Sequence, residues 1–294
     1  MSKSHPEQWT IHELAERPET SLVTALREFA TTQIADCGGP VGIMGPPLRH
    51  LAGGAQLCGP AVTVWTKPGD ILYVLKATDL IAAGDVLVVD GGGRADAAVI
   101  GDIAGQALAD LGCDGLVVDG AVRDLDGLDA AGLPTVAAGA HPATGSNQGP
   151  GAINVVVQCG GVTVRPGDVV RGDASGLVVV PREHLAAVLA MTKAVDDQES
   201  AWRRAIADGA SLPAATGIDD LISRLAADRA RSEAVLACGA GDDPHRRQRR
   251  AAVRSAHVGT PPDRARSGWG THNATGRGGG RAPTGRAAGS AGRR

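Results

Sequence analysis

The sequence predicts a mixed α/β fold, and three features predict it. Residues 86–90 (VLVVD) and 115–120 (GLVVDG) are short, continuous apolar runs suited to buried strands. The stretch between them, 102–111 (DIAGQALADL), has helical apolar spacing and stops at Gly112, which makes a β-α-β unit. Residues 135–181 then break into short strand-like runs separated by Gly and Pro, before the pattern turns helical at Arg182. These elements describe one domain of roughly 200 residues, a size that a single core supports.

In chain order, residues 21–35 (SLVTALREFATTQIA) read as a helix with Ser21 as N-cap, closed by Gly38 and Gly39. A Gly/Pro-rich stretch follows and ends as a strand at Trp65. Gly-Asp then precedes an aliphatic run three times, at Asp70, Asp85 and Asp168, and each pair predicts a turn into a strand. Such aspartates sit at strand entrances, whereas ligands of open α/β sheets gather at strand exits. The β-α-β unit predicts a parallel pair with a right-handed crossover, so the ends at Asp90 and Asp119 emerge on one edge. Strands are expected at 135–140, 153–159, 162–170 and 177–181, with a hairpin at Pro166-Gly167, and helices at 182–208 and 218–236.

Composition excludes several function classes. Of 294 residues only six are aromatic while 42 are Gly, so stacking platforms for single-stranded nucleic acid are not expected. No apolar stretch approaches the roughly 18 residues of a membrane span, and the N-terminus has no signal-peptide core; a soluble, cytoplasmic chain is expected. Cys37, Cys58, Cys113, Cys159 and Cys238 are scattered without metal-ligand spacing and read as free, buried thiols. The net charge of −3 hides an asymmetry: from residue 245 onward twelve Arg face one acidic residue, Asp263, giving +11, while residues 1–244 hold 17 basic and 31 acidic residues, giving −14. The division is therefore read as a domain over 1–240 and a disordered Arg/Gly-rich tail over 241–294, whose nucleic-acid contacts would be non-specific.

Three constellations could carry chemistry. After VLVVD, a dinucleotide-binding glycine pattern starting at Gly91 would need glycine at position 96, which is Asp96, and no phosphate-binding loop with Gly-Lys-Ser/Thr exists. Gly101-Asp102-Ile103-Ala104 opens the crossover helix, where unpaired N–H groups and the helix dipole favour a small carboxylate; alone, Asp102 reads as an N-cap. Arg123-Asp124 follows the neighbouring parallel strand: a guanidinium can grip a carboxylate, and a carboxylate can hold a hard divalent cation. Alone, this pair reads as a loop ion pair, but the crossover places it beside residues 101–104.

These stretches, with GLPTVAAG, GPGAINVVVQCGGVTVRPGDVVRGDASGLVVVP and Asp102 followed after twenty residues by Arg123-Asp124, resemble the RraA-like family over residues 20–235. The family includes 4-hydroxy-4-methyl-2-oxoglutarate aldolases and regulators of ribonuclease E activity, and Asp102 resembles the aldolase branch. The resemblance implies a swivelling-type α/β/α sandwich with a central β-α-β unit and additional short strands. It also implies a homotrimer or homohexamer with sites between subunits. Asp124 would be the metal ligand for Mg2+ or Mn2+, and Arg123 would bind the pyruvyl carboxylate. Gly101, Asp102, Ile103 and Ala104 would contact substrate, Asp102 would orient water or Arg123, and Glu199 would approach from a neighbouring subunit. Residues 149–154 read GPGAIN, with Ala152 in place of the Glu of the family pattern. The implied activity is a class II pyruvate aldolase acting on 4-hydroxy-2-oxo diacids, with oxaloacetate decarboxylase activity. No Schiff-base lysine is needed, and none of Lys3, Lys67, Lys76 and Lys193 falls in the β-α-β unit. The competing expectation is a non-catalytic regulator that binds a ribonuclease or helicase.

Overall fold

The computed structural model describes residues 7–14 and 16–239, so the expected tail over 241–294 lies outside the described residues. The chain divides into two compact units, Met1–Asp220 and Leu221–Arg294. The described part of the second unit is helical to residue 239.

The first unit is built on one mixed sheet. Its long strands are β4 (Leu57–Thr66), β5 (Val86–Ile100), β6 (Gly115–Val122) and β7 (Thr135–Ala140), hydrogen-bonded in that order and mutually parallel. Shorter strands extend it: β1 (Thr10–Ile11), β2 (Gly42–Met44), β3 (Arg49–Ala52), β8 (Gly151–Ile153), β11 (Val169–Asp173) and β12 (Gly176–Val180), while β9 (Val157–Cys159) and β10 (Val162–Val164) form a separate hairpin. The helices are α1 (Thr20–Arg27), α2 (Thr31–Asp36), α3 (Leu72–Ala77), α4 (Asp102–Asp110), α5 (Leu125–Ala130), α6 (Leu185–Ala207) and α7 (Leu212–Thr216), and α8 (Ile218–Gly239) begins at the end of this unit.

The predicted class is observed: a β-α-β unit, β5-α4-β6, lies at the centre and helices flank the sheet. Side chains alternate across each strand, so each face gathers its own core. Val62, Val64, Leu87, Val89, Leu116 and Val118 point to one face and pack under Val74 and Ala77 of α3, Leu108 of α4 and Leu128 of α5. Cys58 of β4 shares that parity and packs with Val23, Leu26 and Ile34 of α1 and α2 and with Leu185 and Val188 of α6. The opposite face, including Ala61, Val86, Val88 and Val117, is closed by strands through Val157, Cys159, Val164, Val170 and Val179. Cys58, Cys113 and Cys159 are buried free thiols, as expected, whereas Cys37 is half-buried. Burial pushes the Cys58 and Cys113 thiols up to about 11.

Four local expectations need correction. The helix predicted over 21–35 breaks at residues 28–30 into α1 and α2, and Glu19 rather than Ser21 stands at the N-cap. Ile71 and Leu72 lead into helix α3 rather than a strand, because Asp70 binds back to the Leu72 N–H (3.0 Å) and starts a helical turn. No hairpin forms at Pro166-Gly167: β10 pairs with β9, while β11 pairs with β4 and β12. Residues 153–159 divide between β8 and β9 around Asn154, which has φ of 54°. Among the described residues no helix is long and apolar enough to cross a membrane.

Leu116 is fully buried at the centre of the β4-β5-β6 face. Leu116→Ala should cost about 3 kcal/mol by lost transfer energy and a residual cavity. The urea midpoint at unchanged slope measures it.

Candidate active site

The site is made by a mismatch between the two central strands. From the pair Asp90↔Asp119 to the pair Ile100↔Val122, β5 advances ten residues while β6 advances three, with register shifts on the way. The extra residues of β5 bulge from the ladder. Both strands end together, and the edge lies at Ile100 and Val122, not at Asp90 and Asp119 where the apolar runs stop. Gly91, Gly92, Gly93 and Gly120 belong to the bulged ladder and do not line the cavity described below. Asp90 and Asp119 instead accept backbone N–H groups of Gln158 and Gly160, tying the β9–β10 segment to the sheet.

At the common edge, the Arg123 N–H donates to the Ile100 carbonyl (2.9 Å) and the His141 N–H to the Val122 carbonyl (2.9 Å), fixing the turn after β6 to both neighbours. Asp124 follows in the left-handed region, φ 54° and ψ 50°, and its carbonyl accepts the N–H groups of Gly127 and Leu128 to start α5. That conformation costs a non-glycine residue on the order of 1 kcal/mol, which the two hydrogen bonds offset. Arg123 Nε lies 3.2 Å from Asp124 Oδ2, with 38% and 43% of the two side chains exposed. The pair is thus formed, solvated and open to a ligand.

Gly101 makes this arrangement possible. A Cβ there would stand 2.6 Å from Asp124 Oδ2 and 3.0 Å from Arg123 Nε, so only glycine lets the ion pair lie against the start of α4. Gly101, not Asp102, is the helix N-cap. Asp102 is the first helical residue, and its Oδ1 accepts the Ile103 N–H (2.8 Å). The carboxylate therefore occupies one first-turn donor and offsets the positive end of the dipole, leaving the N–H groups of Asp102 and Ala104 without a helical partner. Asp102 also lies against α5, where a Cβ on Gly127 would meet the Asp102 Cβ at 2.4 Å.

Gly101, Asp102, Ile103, Ala104 and Arg123 all line one cavity of about 380 Å3. Asp124 stands beside it through its contact with Arg123. Glu199 is on α6, outside this cavity within one chain; its Oε2 accepts from Gln33 Nε2 (3.0 Å) and pairs with Arg203 (2.7 Å). Its expected approach to a site of a neighbouring copy stays an expectation.

Sequence reasoning missed the cavity's other wall, contributed by Ile71, Leu75 and Thr78 from the α3 segment and by Thr144. Buried Asp70 organises that wall: its Oδ2 accepts from Ser146 Oγ (2.6 Å), Gln148 N (2.8 Å) and Gly149 N (3.0 Å). Burial pushes the Asp70 carboxyl up, but the Ser146 hydroxyl and the three N–H groups outweigh it and hold the carboxyl below its ordinary range. The readable signal was Gly69-Asp70 followed by helical rather than alternating apolar spacing.

Fold and site together define an α/β protein with a small cavity at the ends of parallel strands, bounded by an arginine-aspartate pair and a helix start. The chain belongs to the RraA-like family: the family model described as Aldolase/RraA matches residues 31–179. A protein of Halalkalibacterium halodurans, provisionally named 4-hydroxy-4-methyl-2-oxoglutarate aldolase, is 37% identical over 190 residues, covering 65% of this chain and 90% of that protein. An uncharacterized protein from Pseudomonas syringae pv. tomato is similar in structure, with a TM-score of 0.60 and 28% identity over 68% of this chain and 98% of that one. Streptomyces coelicolor RraAS2, described as an unusual member of the RNase ES inhibitor RraA family, is similar with a TM-score of 0.58 and 28% identity, covering 64% and 99%.

Because the Asp70 carboxyl is depressed in the folded state, its stabilisation is complete above the unfolded value of about 4 and is lost as pH falls through the lower folded value. Asp70→Asn keeps an oxygen for Ser146, Gln148 and Gly149 but turns its NH2 group against the Leu72 N–H and removes the charge these donors hold, and should cost about 2 kcal/mol near neutral pH. The difference from the unsubstituted protein should shrink in acid, as denaturation followed from pH 7 to pH 3 would show.

Proposed function

We propose that this chain is a divalent-metal-dependent, class II pyruvate aldolase. It cleaves 4-hydroxy-4-methyl-2-oxoglutarate or related 4-hydroxy-2-oxo diacids to pyruvate and decarboxylates oxaloacetate. The observation that carries this reading is the meeting of Arg123, Asp124 and the α4 start around one small cavity. The provisional name of the H. halodurans relative supports it.

The donor set suits a hard cation. Asp124 offers an exposed carboxylate, and Mg2+ or Mn2+ commonly takes one or two carboxylates while keeping several waters. When bound, such an ion supplies Lewis acidity toward the 2-oxo group and the negative charge that develops beside it. Arg123 grips the substrate carboxylate with its remaining guanidinium N–H groups, since Nε is turned to Asp124. The Ala104 N–H adds a donor at the mouth of the helix. Asp102, within the cavity lining, holds a water that takes the proton from the C4 hydroxyl as the C3–C4 bond breaks. Aldol cleavage and oxaloacetate decarboxylation leave the same pyruvate enolate, so one anion-stabilising site serves both. Assembly as a homotrimer or homohexamer, with Glu199 of a neighbouring copy approaching the site, belongs to this reading.

Pyruvate release from 4-hydroxy-4-methyl-2-oxoglutarate and from oxaloacetate, followed with Mg2+ and with EDTA, tests the proposal. Asp124→Ala and EDTA should each lower turnover at least about 100-fold, the scale of losing a main electrostatic contact. Undiminished turnover under both would defeat the reading. No turnover, with salt-sensitive binding to a ribonuclease or helicase, would favour the regulator. Gly101→Ala should lower kcat/KM about tenfold or more with little change in stability, because its backbone φ of −139° suits alanine and only the ion pair is displaced. An unchanged kcat/KM would remove that pair from the site.

A further inference from the structure

We propose that Gln33 is the positioning residue for Glu199: it holds one carboxylate oxygen inside its own subunit so that the other is presented to the active site of a neighbouring copy. The inference rests on the aldolase reading, in which Glu199 approaches that site, and concerns how a long side chain on α6 keeps one direction.

Gln33 is a buried polar residue of α2, 7% exposed, and lies outside the active-site cavity of its own chain. It stands third in the helix, where its Oε1 accepts the Ala30 N–H (3.1 Å) and caps the first turn. That bond decides which end of the amide faces α6. Nε2 donates to Asp196 Oδ1 (2.9 Å) and to Glu199 Oε2 (3.0 Å). With its oxygen and its nitrogen both engaged, the amide can neither flip nor swing without losing a bond.

Joining the two helices does not require this network. Ile34 of α2 already packs with Leu185 and Val188 of α6 in an apolar cluster. What the amide adds is a fixed place for two carboxylates one turn apart. Arg203, on the next turn of α6, also pairs with Glu199 Oε2 (2.7 Å). Glu199 Oε1 has no hydrogen-bond partner among the described residues, and 25% of the side chain is exposed. One oxygen is thus anchored from within while the other remains for a group outside the chain. A glutamate held in this way has lost its rotamer freedom before a substrate arrives, so the reaction need not supply that order.

The full-length protein with Mg2+ is assayed for pyruvate release from 4-hydroxy-4-methyl-2-oxoglutarate. Gln33→Glu keeps an oxygen for the Ala30 N–H but sets an acceptor against Asp196 and Glu199. Gln33→Leu removes the donors without adding charge. Each should lower kcat about tenfold or more at nearly unchanged KM, the scale of a misplaced catalytic group. In a Glu199→Ala background neither should lower kcat further, whereas a variant that merely loosens the fold loses activity in both backgrounds. Mixed oligomers separate the subunits' roles. Gln33→Glu subunits keep Asp124, and Asp124→Ala subunits keep a positioned Glu199. Co-assembled in equal amounts, the two poor variants should regain about a quarter of the unsubstituted activity, since random assembly places an intact Asp124 beside a neighbour with intact Gln33 at about one site in four. Undiminished kcat in the Gln33 variants, additive losses with Glu199→Ala, or mixed oligomers no better than the separate variants overturn the inference and leave the aldolase reading standing. If the unsubstituted protein releases no pyruvate, the aldolase reading fails and the inference with it.

Discussion

The parallel pairing of β5 with β6 is the constraint on which the rest of the molecule depends. Its first five registered pairs, from Val86↔Gly115 to Asp90↔Asp119, bury Leu87, Val89, Leu116 and Val118 under α3, α4 and α5, and Val86, Val88 and Val117 under the strand-covered face. Beyond them, ten residues of β5 match three of β6, and the pairing resumes with a register shift at each step at Arg94↔Gly120, Ala98↔Ala121 and Ile100↔Val122. That resumption places the α4 start beside Arg123-Asp124. Because the Arg123 N–H is held by the Ile100 carbonyl, movement of either strand end moves the cation, the carboxylate and the helix cap together. A site built on rigid strand ends keeps its geometry at lower entropic cost than one built on loops.

Electrostatics at this edge are nearly balanced. Asp102 occupies the Ile103 N–H and offsets the helix dipole, and Arg123 is paired with Asp124. Since both members of that pair are well exposed, it adds little stability, on the order of the 0–1 kcal/mol of a surface salt bridge. Its importance is orientation. Asp124 in a left-handed conformation, Gly101 without a side chain and Gly127 yielding space to Asp102 are three local concessions that serve no core. Concessions of this kind concentrate where a ligand must be met.

The central unit was legible because it is over-determined. Runs such as VLVVD and GLVVDG bury both faces, and a helix spaced between them leaves one topology. Residues 101–104 and 123–124 could be placed together from that topology alone. The rest depended on information that sequence spacing does not carry. A strand containing GGG reads as strand, loop and helix, yet β5 continues through Gly92 and Gly93, whose positive φ values permit the bulge. The pairing partner of β10 is chosen by long-range packing of Cys159 and Val164 rather than by the Pro-Gly turn next to it. Asp70 shares its Gly-Asp motif with Asp85 and Asp168, and beyond the helical spacing after it, its role shows in four hydrogen-bond partners, three of them more than seventy residues away. The apolar wall follows from that same distant contact, because Asp70 and Ser146 position the α3 start and the segment bearing Thr144.

On the aldolase reading, the apolar wall also treats the two reactions differently. In an aldol substrate an alkyl group at C4 stays uncharged as the C3–C4 bond breaks, so its contact with Ile71 and Leu75 stabilises bound substrate and transition state alike and acts through KM. In oxaloacetate the group at C4 is itself a carboxylate, and its charge drains toward C2 as carbon dioxide departs. Apolar surroundings then penalise the bound ground state more than the transition state. On that reading the wall would weaken oxaloacetate binding while favouring its breakdown once bound. One uncharged surface would thus act in opposite directions on two reactions that share an enolate.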